Sequence, residues 1–346
     1  MFDLAEVKNT VQNNCDRVDA EYAQNYGLCI YLLKMREYYR WRNNIPLSAD
    51  LVNDEVHDWI ADMEERWDQI LDKPFENFTL NNQPFQPFET NEINKLLIPE
   101  GYVYSGGIGA AGIPLFLLAK LESQDHQHGF DILISSDELA RGMFGSPGML
   151  LDKTIYIRRE ALRYLLIGKF DEWLFQKRDN TMKKALSYYD FESNFDVALE
   201  DMTNKEMQTL ILHEIGEGLA KQSLGDNWEK MLADFAYTRT EIIIRATRDL
   251  AADCLSTLPA LVNEQRTSSI HFYFANFSDM RKHLAPNLYR AYQKWSTSTD
   301  PAQLLAAVEK GKSFWIDIGN EILDLYLAEG KAADKKIEQL VGSLIV

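Results

Sequence analysis

Hydrophobic positions recur with a helical period over the first part of the chain. Between residues 15 and 39 apolar and aromatic side chains return about every 3.6 residues, and a second apolar stripe runs over residues 51–70. The polar and proline-containing segment 43–46 separates the two stripes. We therefore expect an N-terminal hairpin of two antiparallel helices.

The pattern changes in the middle of the chain. Residues 75–91 are rich in Asn, Gln, Pro and Phe and follow neither the helical nor the strand period, which is typical of a linker or a packed loop. From about residue 101 to 160, β-branched and aromatic residues stand between turn-forming clusters, which predicts a small sheet. The strand candidates are YVYSGG, IPLFLLAKLE, FDILIS and TIYIRRE.

The remainder of the chain again has a helical pattern. We predict helices over residues 170–184, 204–224, 227–258, 279–295, 301–328 and 331–344. The expected fold class is therefore α+β and predominantly helical, with helical regions on both sides of the small sheet. The expected domains are an N-terminal helical hairpin (1–74), an α+β domain of zincin-like type (92–262) and a C-terminal helical region (263–346).

Composition and charge exclude several classes of protein. The 346 residues are 46% hydrophobic, which is enough for a substantial core. The net charge of −17 repels phosphate backbones and anionic lipids, so we expect neither a nucleic-acid nor a membrane partner, whereas a basic protein partner is compatible with it. The chain has three scattered cysteines, and its first residues lack a secretory leader, so we expect a cytoplasmic protein.

The string LILHEIGEGLA carries the most informative chemical pattern. On a helix, positions 213 and 217 lie one turn apart on the same face, so the imidazole of His213 and the carboxylate of Glu217 can bind one cation. Glu214 is suitably placed to act as general base on an attacking water. Gly216 and Gly218 each cost a helix about 1 kcal/mol. They indicate that another backbone or a substrate approaches closely at this point.

This string resembles the active-site helix of the zincin metallopeptidases, whose signature is His-Glu-x-x-His after an apolar lead-in. In this sequence Glu217 stands where the second histidine would be, and the harder carboxylate shifts the preference from zinc towards iron or manganese. The resemblance implies a divalent metal (Zn, Fe or Mn) and hydrolysis of a peptide or amide bond, with Glu214 as the catalytic residue.

A metal site of this kind needs a third protein ligand. If the predicted helix 227–258 folds back after a turn centred near Gly225, its residues near 233–237 lie opposite the motif. Among the acidic residues close to that stretch, Glu241 is the first candidate and Asp234 the second.

The same predicted helix carries two further acidic residues, and its charged residues also permit a purely structural interpretation. Asp249 and Asp253 reach the site as outer acceptors only if the helix kinks. Alternatively, the acidic residues form an ion-pair network that binds no metal. The available basic partners are Arg239, Arg245 and Arg248.

A glycine-rich segment forms a second pattern, at residues 107–112. It has the formal spacing G-x-G-x-x-G, which in a dinucleotide-binding fold lets a pyrophosphate approach a helix, and Asp137 would be the acid that holds the ribose. However, Pro114 and the apolar run 113–118 are typical of a strand that enters a hairpin. The hairpin is the favoured interpretation, and phosphate binding stays an open alternative.

Residues 14–41 together with the histidine motif are similar to a group of bacterial proteins of unknown function, and the similarity extends over most of the chain. We hypothesise that the protein is a metal-dependent hydrolase acting on a small-molecule or peptide substrate. The first alternative is a non-catalytic interaction protein that keeps a degenerate zincin-like scaffold and binds a basic partner. The second alternative is an iron-dependent oxidoreductase.

Overall fold

The fold is α+β and mainly helical, as the sequence predicts. It is known from a computed structural model that describes residues 2–46, 49–109, 112–176, 178–277 and 279–343. The chain forms two compact units, one made of Met1–Gln124 and Leu133–Ser146, the other of Asp125–Ile132 and Pro147–Val346.

The first unit combines helices with strands. Its helices are α1 (Leu4–Tyr22), α2 (Leu28–Arg42), α3 (Asn53–Asp68) and α4 (Thr90–Leu97). Its strands are β1 (Phe78–Leu80), β2 (Gln83–Phe85), β3 (Tyr102–Ile108) and most of β4 (Pro114–Gln127) and β5 (Phe130–Arg141).

Two local features of this unit differ from the sequence prediction. The helical run expected over residues 15–39 is interrupted, because the chain is extended at Tyr26 before α2 begins. The segment 75–91, expected to be a linker or loop, contains the antiparallel hairpin β1–β2. Asn81 and Asn82 form its turn with φ of 52° and 61°, the left-handed conformation that Asn tolerates and that two-residue hairpins require.

The helices and strands of the first unit share buried cores. Val7 and Val11 of α1 pack in one cluster with Phe78 of β1 and Tyr104 of β3. A second cluster joins α2 and α3. The predicted domain boundary at residue 74 therefore does not coincide with a boundary between units, because burial of the apolar face of α1 requires the strands.

The glycine-rich segment enters a β-hairpin. Strand β3 pairs antiparallel with β4, and Gly107 lies opposite Leu115. A Cβ atom on Gly106 would lie 2.2 Å from the carbonyl oxygen of Pro87, so this glycine permits a close backbone approach. Strand β4 also neighbours β5 in the sheet, as expected for a hairpin between the apolar run 113–118 and FDILIS. Ala110 and Ala111 within the G-x-G-x-x-G pattern lie outside the described residues.

The second unit is mostly helical. The strands β6 (Gly148–Leu151) and β7 (Thr154–Arg158) pair antiparallel, and α5 follows directly. The helices are α5 (Arg159–Gln176), α6 (Thr181–Leu186), α7 (Phe195–Leu224), α8 (Asn227–Asp234), α9 (Arg239–Ala252), α10 (Leu258–Asn263), α11 (Thr267–Ala275), α12 (Asp279–Leu284), α13 (Pro286–Ser298), α14 (Ala302–Glu329) and α15 (Asp334–Gly342), with a π-helical turn at Asp253–Thr257.

One large core connects most helices of this unit. It extends from Ala220 at the end of α7 to Val341 in α15. The boundary predicted at residue 262 therefore falls inside a continuous core, because the helices on both sides bury their apolar faces against each other. Among the described residues, no helix combines the length and the apolar character needed to cross a bilayer.

Glu206 on α7 makes the stability of this unit depend on pH. Its side chain is buried, Oε1 accepts a hydrogen bond from the Ser269 hydroxyl at 2.7 Å, and Oε2 has no partner among the described residues. Burial raises the pKa of Glu206 from 4.5 to about 7. Because the folded-state pKa is raised, the stabilising contribution is complete below pH 4.5 and is lost as the pH rises through 7.

We therefore expect the free energy of unfolding of the wild type to decrease between about pH 5 and pH 8, and Glu206→Gln to remove much of that decrease. Urea denaturation at a series of pH values measures this. Glu192→Gln, at an exposed position, is the matched control and should keep the wild-type profile. An unchanged pH dependence in Glu206→Gln would contradict the assignment.

Candidate metal centre

The motif residues lie on α7, the longest helix of the second unit. Asn194 caps its first turn by accepting a hydrogen bond from the backbone N–H of Val197. His213 and Glu217 are one turn apart, and His213 Nε2 lies 3.5 Å from Glu217 Oε1. The helical spacing thus brings the imidazole and the carboxylate together, as the sequence predicts.

The two glycines of the motif permit close packing on both sides of α7. A Cβ atom on Gly216 would lie 2.3 Å from the carbonyl oxygen of Ala252, at the end of α9. A Cβ atom on Gly218 would lie 2.3 Å from the ring of Phe130. Both glycines therefore permit contacts within the protein, and the contact of Gly216 sets which residues of α9 face the motif.

That contact places two acidic residues beside the histidine. The imidazole Nδ1 of His213 donates a hydrogen bond of 2.8 Å to Asp253 Oδ1. One ligand-type atom from each of His213, Glu217 and Asp249 lies within 4.8 Å of the other two. Asp253 begins the π-helical turn that follows α9, and such turns recur at functional sites.

Asp253 is fully buried and is held by three groups. Besides His213, the Tyr273 hydroxyl donates to its Oδ2 at 2.7 Å, and Arg281 Nη1 lies 3.4 Å from the same oxygen. Burial opposes ionisation of this carboxyl, but the adjacent His213 and Arg281 hold its pKa below the usual value. Asp253 therefore remains a carboxylate that orients the imidazole.

The charges around the histidine depend on one another. Burial disfavours the imidazolium, yet Asp253 and Glu217 raise the pKa of His213 well above 6.5. Burial likewise raises the pKa of Glu214 and of Asp249. For Glu217 burial is outweighed by Arg248 and His213, which lower its pKa. Burial thus favours the protonated form of Glu214 and Asp249, whereas Arg248 and His213 favour the ionised form of Glu217.

Arg248 is the nearest guanidinium to the candidate ligands. Its Nη2 lies 2.9 Å from Glu217 Oε1 and 3.9 Å from Asp249 Oδ1, and its Nη1 lies 3.5 Å from Glu229 Oε1. This contact agrees with the alternative of an ion-pair network, in which Arg248 was one of the proposed partners. The pair between Arg245 and Glu241 agrees with the same alternative, whereas Arg239 lies near Glu338.

The structure does not bring Asp234 or Glu241 to the histidine. Asp234 accepts a hydrogen bond from the Tyr326 hydroxyl. Glu241 binds Arg245 at 2.7 Å and accepts from the backbone N–H of Tyr237. The candidate third ligand is therefore Asp249, and the positions predicted for this role are corrected.

The physical reason is a break in the helix expected over residues 227–258. Tyr237 has a φ of 64°, and Thr238 caps a new helix by accepting a hydrogen bond from the Glu241 N–H at 3.1 Å. Helix α8 therefore separates α7 from α9 along the chain, and the end of α9 packs against α7. The Thr-x-x-Glu pattern at 238–241 is a capping-box signature, so the sequence contained a signal for this break.

Glu214 points to a different neighbour than His213 does. Its side chain is buried, and a Cβ atom on Gly148 of β6 would lie 2.5 Å from Glu214 Oε1. The carboxyl group therefore packs directly on the backbone of β6. It does not belong to the group of three candidate ligands, and its role as a base stays a prediction.

The fold and this side-chain cluster define a mainly helical α+β protein with a candidate metal centre. Residues 6–158 match the N-terminal domain and residues 163–343 the C-terminal domain of a family of unknown function, DUF6866. The two matches cover nearly the whole chain, and the protein belongs to this family. No curated protein and no solved structure matches the chain.

The glycine contact can be tested by substitution. We expect Gly216→Ala to lower the free energy of unfolding by about 1–3 kcal/mol, because the new methyl group meets the backbone of Ala252. Gly168→Ala on α5 is the control, since a Cβ atom there has open space and alanine favours the helix by up to about 1 kcal/mol. Chemical denaturation measures both. Equal effects of the two substitutions would contradict the close approach of α7 and α9.

Proposed function

We propose that the protein binds one divalent metal ion through His213, Glu217 and Asp249 and uses it in a hydrolytic reaction. The observation that carries this proposal is the convergence of these three side chains in front of a histidine that a buried carboxylate orients. One imidazole and two carboxylates are ligand types that divalent metals accept in catalytic sites.

The role of Asp253 supports the proposal. An ionised carboxylate at Nδ1 requires that nitrogen to carry a proton. A metal that displaces the other ring proton would therefore bind Nε2, which lies 3.5 Å from Glu217 Oε1. Histidine ligands of metals usually donate their other ring N–H to such a partner. A histidine in a solvated ion-pair network needs no fully buried carboxylate held in turn by Tyr273 and Arg281.

The ligand set favours particular metals. Two of the three candidate ligands are carboxylates, and hard oxygen ligands suit Mn²⁺ or Fe²⁺ better than sulfur-preferring metals, while the single imidazole also suits Zn²⁺. A divalent cation would also balance the charge of Glu214 and Asp249, whose ionisation burial disfavours. We therefore propose Mn²⁺ or Fe²⁺ as the first metals to test and Zn²⁺ as the third.

The proposed reaction is hydrolysis of a peptide or amide bond. A metal bound there would supply charge that stabilises the developing oxyanion, and it would lower the raised pKa of the nearby Glu214. The carboxylate of Glu214 is the proposed base that takes a proton from the attacking water. The side chains of His213 and Glu217 are 25% and 20% exposed, so the cluster is partly accessible to solvent. We place this activity in the cytoplasm, where the three free cysteines stay reduced.

An interaction function is the second candidate, because one helix surface is strongly acidic. Helix α3 exposes a series of acidic side chains that would attract a basic protein. They are Asp54, Glu55, Asp58, Asp62, Glu64, Glu65 and Asp68. This candidate gains if His213→Ala changes neither thermal stability nor co-purifying proteins and no metal is present, whereas a metal-dependent rise in the melting temperature favours the hydrolase.

Metal content is the first test. Protein purified without chelator should contain about one equivalent of Mn, Fe or Zn per chain, measured by elemental mass spectrometry. Asp249→Asn should lose the metal, whereas Asp234→Asn, at the carboxylate that binds Tyr326, should keep it. Less than about a tenth of an equivalent of any transition metal in the wild type, also after incubation with Mn²⁺, Fe²⁺ or Zn²⁺, would refute the proposal.

The roles of Glu214 and His213 can be separated. Glu214→Gln should keep the metal content and lower turnover of a fluorogenic peptide library by about 10²–10⁴-fold, because only the proton acceptor is removed. His213→Ala should lose both metal and turnover. If both variants bind metal as the wild type does, the assignment of roles is wrong.

A further inference from the structure

Arg248 has more hydrogen-bonding capacity than its surroundings use. A guanidinium has five N–H groups. Its one short contact joins Nη2 to Glu217 at 2.9 Å, and the contact of Nη1 with Glu229 is 3.5 Å long. Its Nε is buried and has no hydrogen-bond partner among the described residues. The side chain is 14% exposed, so it is held inside the site with donors to spare.

The position of this guanidinium connects it to the candidate metal ligands. Oε1 of Glu217 lies 2.9 Å from Arg248 Nη2 and 3.5 Å from His213 Nε2, so the same oxygen contacts both groups. A ligand bound to Arg248 would therefore lie next to the proposed metal position, because Glu217 contacts both Arg248 and His213. The side chain of Glu229 is 53% exposed, so this weak partner can turn away into solvent.

A planar guanidinium with free N–H groups is suited to bind an oxyanion. The charged residues around Arg248 determine which kind of oxyanion it can bind. Glu217, Glu229 and Asp249 all lie within 4 Å of Arg248, and a phosphate dianion would be repelled by these carboxylates more strongly than a single carboxylate would. Charge thus disfavours a phosphate dianion more than a planar carboxylate, which carries a single charge.

We propose that Arg248 binds the terminal carboxylate of a peptide or acylated amino acid, whose neighbouring amide bond then lies at the metal. This inference rests on the proposed function, because it places the carboxylate relative to the metal. The substrate class is therefore an amide that lies next to a free carboxylate, and the cleavage removes a C-terminal residue. In that cleavage water adds to the amide carbon, the C–N bond breaks, and the amine leaves with a proton.

The test uses the full-length protein loaded with Mn²⁺ and N-acetylglycine as the probe, with binding measured by isothermal titration calorimetry at constant ionic strength. N-acetylglycinamide, which has the same shape but no charge, is the matched control ligand. We expect the acid to bind about tenfold or more tightly than the amide, and Arg248→Gln to abolish this preference. Arg248→Lys should keep part of it, because lysine retains the charge but not the planar fork.

Two controls separate the possible failures. Arg245→Gln, three residues earlier on α9, should keep the preference for the acid. Every variant is measured at saturating Mn²⁺ with the metal content verified. If the loss in Arg248→Gln disappears when its metal site is filled, Arg248 acts only on metal affinity and the inference is overturned.

The remaining outcomes are equally decisive. If the wild type binds Mn²⁺ but does not prefer N-acetylglycine over the amide, the inference fails while the metal site stands. Tighter binding of inorganic phosphate than of N-acetylglycine overturns the choice of a carboxylate. If the wild type binds no metal, the proposed function fails first, and a preference for the acid measured without metal would then identify a plain anion site.

Discussion

The contact between Gly216 and the backbone of Ala252 is the constraint on which the candidate site depends. Without a Cβ atom at position 216, the backbones of α7 and α9 approach closely enough for one helix to touch the carbonyl oxygen of the other. This fixes the relative translation of the two helices. Asp253 then lies behind His213, and Asp249, one turn earlier, faces the same side as Glu217. The helix-breaking cost of the glycine is thus offset by a contact that no other residue allows.

The electrostatics of the site follow from burial. Ionisable groups removed from water must be paired, protonated or bound to a metal. Asp253 is paired with His213, Tyr273 and Arg281, whereas burial keeps Glu214 and Asp249 inclined to hold protons. The ion-pair network and the proposed metal site would therefore be two charge states of one arrangement. Which cation the carboxylates hold decides between them, and this is a property of binding equilibria rather than of the fold.

The sequence predicted the parts of the structure that depend on local patterns. The four strand candidates correspond to β3, β4, β5 and β7, and the motif helix is present with His213 and Glu217 on one face. The predictions failed where a short polar signal outweighed a longer apolar pattern. The apolar stripe over 227–258 continues through Thr238, yet its hydroxyl caps a new helix there. The Asn-Asn turn of the β1–β2 hairpin is another short polar signal, in a segment that has no regular apolar pattern.

Local sequence patterns did not predict the third candidate ligand. The sequence by itself determined the fold class, the helix that carries His213 and the spacing to Glu217, because helical periodicity is a property of neighbouring residues. It could not determine that Asp249 rather than Asp234 or Glu241 completes the group. That choice depends on how far α9 slides along α7, which only the packing of the two backbones at Gly216 decides, together with the large core that holds both helices.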